Sequence, residues 1–185
     1  MLATSFRPSS STITLPFQLK RLDLRNKPVS HTLLQALLTP SLQTLTISLL
    51  PSSPTYASLI ALFPLVGPTL YHLHLLHRAS PALLQTLDHC VALQTFVAHP
   101  SVDLEGAVPR LARVAFELRT VEVHVAYNTT LVVGLLELLV GRDGGQMRSV
   151  CIRGASVEGL EKAGVGDFVQ RCAKAGVQLR LDKVL

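Results

Sequence analysis

One six-residue pattern, apolar-x-x-apolar-x-apolar, returns along nearly the whole chain and limits the folds open to it. It reads LKRLDL from Leu19, LQTLTI from Leu42, LYHLHL from Leu70, LQTFVA from Leu93, LRTVEV from Leu118 and MRSVCI from Met147. A seventh, degenerate copy, GVQLRL from Gly176, keeps the last two apolar positions, so successive starts lie 23, 28, 23, 25, 29 and 29 residues apart. One such motif means nothing in a Leu-rich chain. Six in phase, each followed by a helix-like segment, describe a repeated unit.

The second and third apolar positions are two residues apart, the spacing that puts both on one face of a β-strand. The segments between copies carry helical patterns: SHTLLQALL from Ser30, TYASLIALF from Thr55, SPALLQTL from Ser80, PRLARVAF from Pro109, NTTLVVGLLELLV from Asn128, and the stretch from Val157 to Ala175. Several open on Ser, Thr or Asn, the residues that cap helix N-termini, and Pro81 suits a first helical turn. Strand, helix, strand in succession predicts an α/β fold with a parallel sheet of about 6–7 strands and the helices on its outer face. No unit buries its apolar face alone, so stacking must supply the core.

The pattern resembles the leucine-rich repeat, L-x-x-L-x-L in units of about 20–29 residues. The resemblance covers nearly all of residues 19–185 and implies a solenoid: a curved parallel sheet on the concave side, helices on the convex side. Residues 1–18 are expected to form a loose tail or an eroded cap, with Ile13 to Leu15 as a remnant strand. The Asn usual at the ninth position of such a unit is absent; Lys27, Leu50, Arg78, Ser101, Ala126 and Ala155 stand there. The uneven units, the missing Asn and the closing phrase FVQRCAKAGVQLRLD from Phe168 are similar to the repeat regions of fungal F-box proteins. There the repeats select substrates for a ubiquitin ligase. The resemblance therefore implies a non-catalytic protein-binding scaffold that meets its partner on the concave sheet face.

Alternation within each strand names the residues of that face. Strand one offers Arg21, Asp23 and Arg25, and strand two Thr44, Thr46 and Ser48. From strand three come His72, His74 and Leu76; from strand four, Thr95, Val97 and His99. Strands five and six add Thr120, Glu122 and His124, then Ser149, Cys151 and Arg153. The degenerate seventh adds Gln178, Arg180 and Asp182. Neighbouring strands lie about 4.8 Å apart, which sets His99 beside His124 with His72, His74 and Glu122 nearby. His77 falls in the turn after strand three and is expected to be solvated.

Three of the chain's 7 histidines thus fall in one heptapeptide, YHLHLLH from Tyr71. His74, His99, His124 and Glu122 have the donor types of a zinc site, and crowded histidines titrate near neutrality. A flat sheet converges poorly on a tetrahedral ion, so the expectation is a polar binding surface with no metal and no cofactor. Gly164-Val165-Gly166 lacks the preceding strand and third glycine of a dinucleotide fingerprint. GRDGG from Gly141 reads as a helix-to-strand loop. No serine sits in a GxSxG elbow, nothing orders a Cys–His pair around Cys151, and no enzyme is expected.

The net charge of +5 raises nucleic acid as a partner. Yet the charges gather at the two ends, with none between Lys27 and Arg78, and no basic stripe carries interleaved aromatics. Nucleic-acid or membrane-surface binding through the basic ends is the alternative. A GTPase-activating repeat protein ranks lower, because the C-terminus is basic rather than acidic. Prolines cut the uncharged block into runs too short to span a bilayer. Cys90, Cys151 and Cys172 form no CxxC pair, which fits free thiols in a reducing compartment, cytoplasmic or nuclear. Another protein is the expected partner, with no small-molecule substrate; the oligomeric state stays open.

Overall fold

The structure is a computed structural model and describes residues 18–25, 29–125, 129–142 and 145–183. Seven strands form one sheet: β1 (Arg21–Leu24), β2 (Thr44–Ile47), β3 (His72–Leu75), β4 (Thr95–Ala98), β5 (Thr120–His124), β6 (Ser149–Ala155) and β7 (Gln178–Lys183). All six pairings are parallel and the spatial order is the sequence order, β1 to β7. Parallel neighbours need a crossover, and right-handed crossovers that always step the same way along the sheet place every helix on one face.

The registers superpose the repeated motif on itself. Leu22, Leu45, Leu73, Phe96, Val121, Val150 and Leu179 form one row across the sheet, and Leu24, Ile47, Leu75, Ala98, Val123, Ile152 and Leu181 the next. In the five central strands these residues are buried, and Leu45, Leu73, Phe96, Val121 and Val150 are fully so. Each buried aliphatic side chain removes enough apolar surface from water to be worth about 1.5–3 kcal/mol. These rows and the inner faces of the helices form one continuous core.

The helices are α1 (His31–Leu37), α2 (Pro54–Val66), α3 (Pro81–Thr86), α4 (Leu104–Val114), α5 (Thr129–Val140), α6 (Val157–Lys162) and α7 (Val165–Lys174), with 3₁₀ turns at Gly67–Thr69 and Leu87–His89. Ser30 and Ser80 cap α1 and α3 as expected, accepting from the Leu33 and Leu83 amides. Ser156 caps α6 in the same way. The Tyr56 hydroxyl accepts from the Ser80 amide at 2.6 Å, tying α2 to the start of the next helix.

Two helices differ from expectation. α4 begins five residues before Pro109: the Asp103 carboxylate accepts from the Gly106 amide at 3.1 Å, and Pro109 lies inside the helix on its exposed side. The spacing Leu104, Ala107, Val108, Leu111 carries this helix, so the proline does not mark its first turn. The stretch from Val157 to Ala175 is two helices, because Gly164 adopts φ 64°, a left-handed conformation that stops α6 and starts α7. At Gly154 (φ 80°) the β6–β7 register shifts, and an added Cβ would lie 2.8 Å from the Val125 carbonyl oxygen. β7 runs two residues beyond the apolar pattern, to Lys183.

Arg142 joins consecutive units. Its Nη1 donates to the Leu111 and Ala112 carbonyls at the end of α4, and its guanidinium lies 5.2 Å from the Phe116 ring centroid. Such a cation satisfies carbonyls that a helix C-terminus leaves unpaired. Residues 1–17, and with them the Ile13 to Leu15 remnant, lie outside the described residues, as do Lys27, Ala126, the expected cap Asn128, and Asp143 and Gly144 of the GRDGG loop.

Candidate functional site

The open sheet face is three rungs deep. The first runs Arg21, Thr44, His72, Thr95, Thr120, Ser149, Gln178. The second runs Asp23, Thr46, His74, Val97, Glu122, Cys151, Arg180. The third includes the paired residues His124, Arg153 and Asp182, with Arg25, Ser48, Leu76 and His99 following their strands. Strand alternation thus puts the in-strand residues of the first two rungs, and His124, Arg153 and Asp182 of the third, in the register of the repeat.

Thr46 and Cys151 are nevertheless buried, 5% and 6% exposed. Each is a small side chain on the middle rung, between Asp23 and His74 in one case and Glu122 and Arg180 in the other. Both are flanked across the sheet by longer side chains, and little of either is exposed to a partner.

Charge concentrates toward β5–β7. Glu122 Oε1 lies 2.9 Å from His124 Nε2 and 2.9 Å from Arg153 Nε, and Arg153 Nη2 donates to Oε2 at 3.4 Å. Arg153 also lies 3.5 Å from Asp182, which accepts from Arg180 Nε at 2.8 Å. A continuous chain His124–Glu122–Arg153–Asp182–Arg180 results. At the other end of the sheet Arg25 donates to Asp23 at 3.0 Å.

The histidines follow the third rung. His99 and His124 stack with ring centroids 6.2 Å apart, and His77 joins from the other side at 6.4 Å. His77 is half-buried against this pair rather than fully solvated. It arrives through the turn after β3, and turn geometry leaves no periodic trace in the sequence. His74 pairs in register with Val97, which separates it from Glu122 on its own rung. Burial, then the positive charges of His72 and Arg21, holds the His74 pKa below its ordinary 6.5. Burial and the flanking His124 and His77 lower His99.

Among the described residues no group of three His, Cys, Asp or Glu side chains converges as a metal-binding set. Burial raises the Cys151 thiol pKa, as do the nearby Glu122 and Asp182 carboxylates, while Arg153 opposes them. The thiol therefore stays protonated near neutral pH and is a poor nucleophile. On the helix side, a pocket of about 270 Å³ lies between the ends of α5 and α7, lined by Glu137, Val140, Gly141, Arg171, Lys174 and Ala175. Glu137 and Arg171 form an ion pair at its wall. No described helix is long and apolar enough to cross a membrane.

No protein-family model matches the chain, and neither the curated proteins nor the solved structures compared with it provide a match.

Proposed function

We propose that the chain is a leucine-rich-repeat solenoid with the sheet on its concave side, and that it serves as a non-catalytic scaffold binding another protein on that face. One observation carries this reading: a contiguous band of His, Glu, Asp and Arg side chains crosses, from β3 to β7, the sheet face that no described helix covers. Exposed ion pairs of this kind contribute only about 0–1 kcal/mol each to stability. The buried rows already hold the sheet together, so the band is better suited to recognition than to structure. Toward β2 the face turns neutral with Thr44, Ser48 and Leu76, so a partner meets one half through hydroxyl and apolar contacts and the other through ionic ones.

The arginines of the band are held by carboxylates, Arg153 by Glu122 and Asp182 and Arg180 by Asp182, and at the far end of the face Arg25 is held by Asp23. A mosaic of both signs favours a protein partner over a polyanion, which selects an uninterrupted basic track. The narrower assignment, substrate selection for an F-box type ubiquitin ligase, is supported by the uneven units that lack the usual Asn.

The test is affinity capture with three baits: wild type, His74→Ala/Glu122→Ala/His124→Ala, and a helix-side control, Arg110→Ala/Arg113→Ala. All three are first matched for helical circular dichroism and melting. The expected result is a partner retained by wild type and control and weakened about tenfold or more by the triple variant, a loss of about 1.4 kcal/mol. Ligase subunits in that retained set would support the narrower assignment. A folded triple variant that holds every partner as wild type does would overturn the face assignment.

A further inference from the structure

Among the described residues the sheet ends on two edges, β1 and β7, and these edges match each other. We propose that the chain associates with itself head to tail, the β7 edge of one copy adding in parallel to the β1 edge of the next, with Arg180 facing Asp23 and Asp182 facing Arg25.

The backbone phase is right for this. The Lys20 and Leu24 carbonyls accept from Thr44 and Ser48 at 2.9 and 2.7 Å, so even-numbered residues of β1 bond inward to β2. Arg21, Asp23 and Arg25 therefore turn their N–H and C=O groups outward. At the other edge the Gln178 amide donates to the Arg148 carbonyl at 2.8 Å, so Gln178, Arg180 and Asp182 bond to β6 while Leu179 and Leu181 turn outward. Continuing the register of the six internal pairings sets Gln178 opposite Arg21, Leu179 opposite Leu22, Arg180 opposite Asp23, Leu181 opposite Leu24 and Asp182 opposite Arg25. The new junction would repeat a contact the chain already makes with itself between every pair of neighbouring strands.

The side chains make the match specific. Opposite charges directly across a ladder attract and like charges repel. β1 presents acid then base (Asp23, Arg25), β7 presents base then acid (Arg180, Asp182), so both charged rungs are complementary and the remaining rung pairs Gln178 with Arg21. Edges protected by charge against self-pairing would place like signs on these rungs. In isolation each edge satisfies its charges within the strand, Arg25 on Asp23 at 3.0 Å and Arg180 on Asp182 at 2.8 Å. Of the four edge residues of the core rows, Leu22, Leu179 and Leu181 are only half-buried and Leu24 is buried, whereas all their counterparts in β2 to β6 are buried. A contact between two different surfaces closes into a ring or extends as an open series.

Sedimentation equilibrium of the purified chain across a concentration series tests the proposal. The expected weight-average mass rises above 20.0 kDa with concentration, and added salt lowers it. Asp23→Arg/Arg25→Asp puts like charges on both rungs, while position 23 keeps the neutral Thr46 as its cross-strand partner within its own copy; it is expected to return the mass to 20.0 kDa. Adding Arg180→Asp/Asp182→Arg to the same chain is expected to restore association. A wild-type chain that stays at 20.0 kDa at every concentration would overturn the proposal, whatever covers the edges instead. So would association indifferent to the β1 exchange, as a two-fold dimer through β7 alone would give.

Discussion

His74 and His99 are histidines at which the fold opposes a proton. For His74 the causes are burial, then His72 and Arg21, partly offset by Glu122 and Asp23; for His99 they are burial, then His124 and His77. A folded pKa below the unfolded 6.5 means the unfolded chain binds protons more readily as pH falls. The stability contribution is therefore complete above pH 6.5 and is lost as pH drops through 6.5 toward the lower folded values. His74→Gln/His99→Gln is expected to flatten the decline in urea-unfolding free energy below pH 6.5 while changing little above it; a decline as steep as wild type would refute the assignment. The thiols give a second residue-scale prediction. Burial, helped by Asp88, pushes Cys90 up to about 12, and Cys172 is raised by burial too. Both are expected to resist alkylation near neutral pH in the native protein and to react once it is unfolded; rapid native labelling of Cys90 would count against its packing. The direction each strand residue faces was legible, because period-two alternation is a backbone property. The burial of Thr46 was not, because it depends on its cross-strand neighbours, whereas Cys151, read as a small half-buried residue, is buried outright. His77 escaped for the same kind of reason, since its ring position is set by a turn.

At the scale of elements, local chemistry explains both what was readable and what was not. Ser30 and Ser80 precede apolar runs and cap them, a short-range arrangement that sequence shows directly. Pro109 gave a competing signal: proline suits a first helical turn, yet here it sits within a helix whose apolar spacing and Asp103 cap outweigh it. The single stretch from Val157 to Ala175 hid a break because Gly164 is tolerated inside a helical pattern and only its positive φ reveals the stop. The cap can be tested. Asp103→Ala removes the acceptor for the Gly106 amide and is expected to cost about 0.5–2 kcal/mol, read from the urea midpoint. Were Pro109 the true start of the helix, Asp103 would lie in a loop and the substitution would cost almost nothing.

On the scale of the whole molecule, repetition made the topology readable: a unit that recurs in sequence order and cannot bury its apolar face alone must stack on its predecessor. Even the degenerate copy at Gly176 forms a strand, because Leu179 and Leu181 keep the two positions that face the core. The same one-dimensional arrangement predicts a gradient of stability from centre to edge. Phe96 is fully buried in β4, with Leu73 and Val121 paired to it on either side, so Phe96→Ala leaves a cavity that no neighbour can fill and is expected to cost about 3–5 kcal/mol. Among the described residues Leu22 has a strand on one side only, and it is half-buried; Leu22→Ala is expected to cost roughly 1–2 kcal/mol, in proportion to the smaller area withdrawn from water. Native-state hydrogen exchange should give the same order, with β3 to β5 amides opening only near the global unfolding free energy and β1 amides at less. Equal costs at Phe96 and Leu22 with uniform exchange would mean that the seven strands unfold as one indivisible core. A clear gradient would place the weakest coupling at the edges, and conditions in which copies associate would then raise β1 protection selectively, because the added strand would cover the outward amides of Arg21, Asp23 and Arg25.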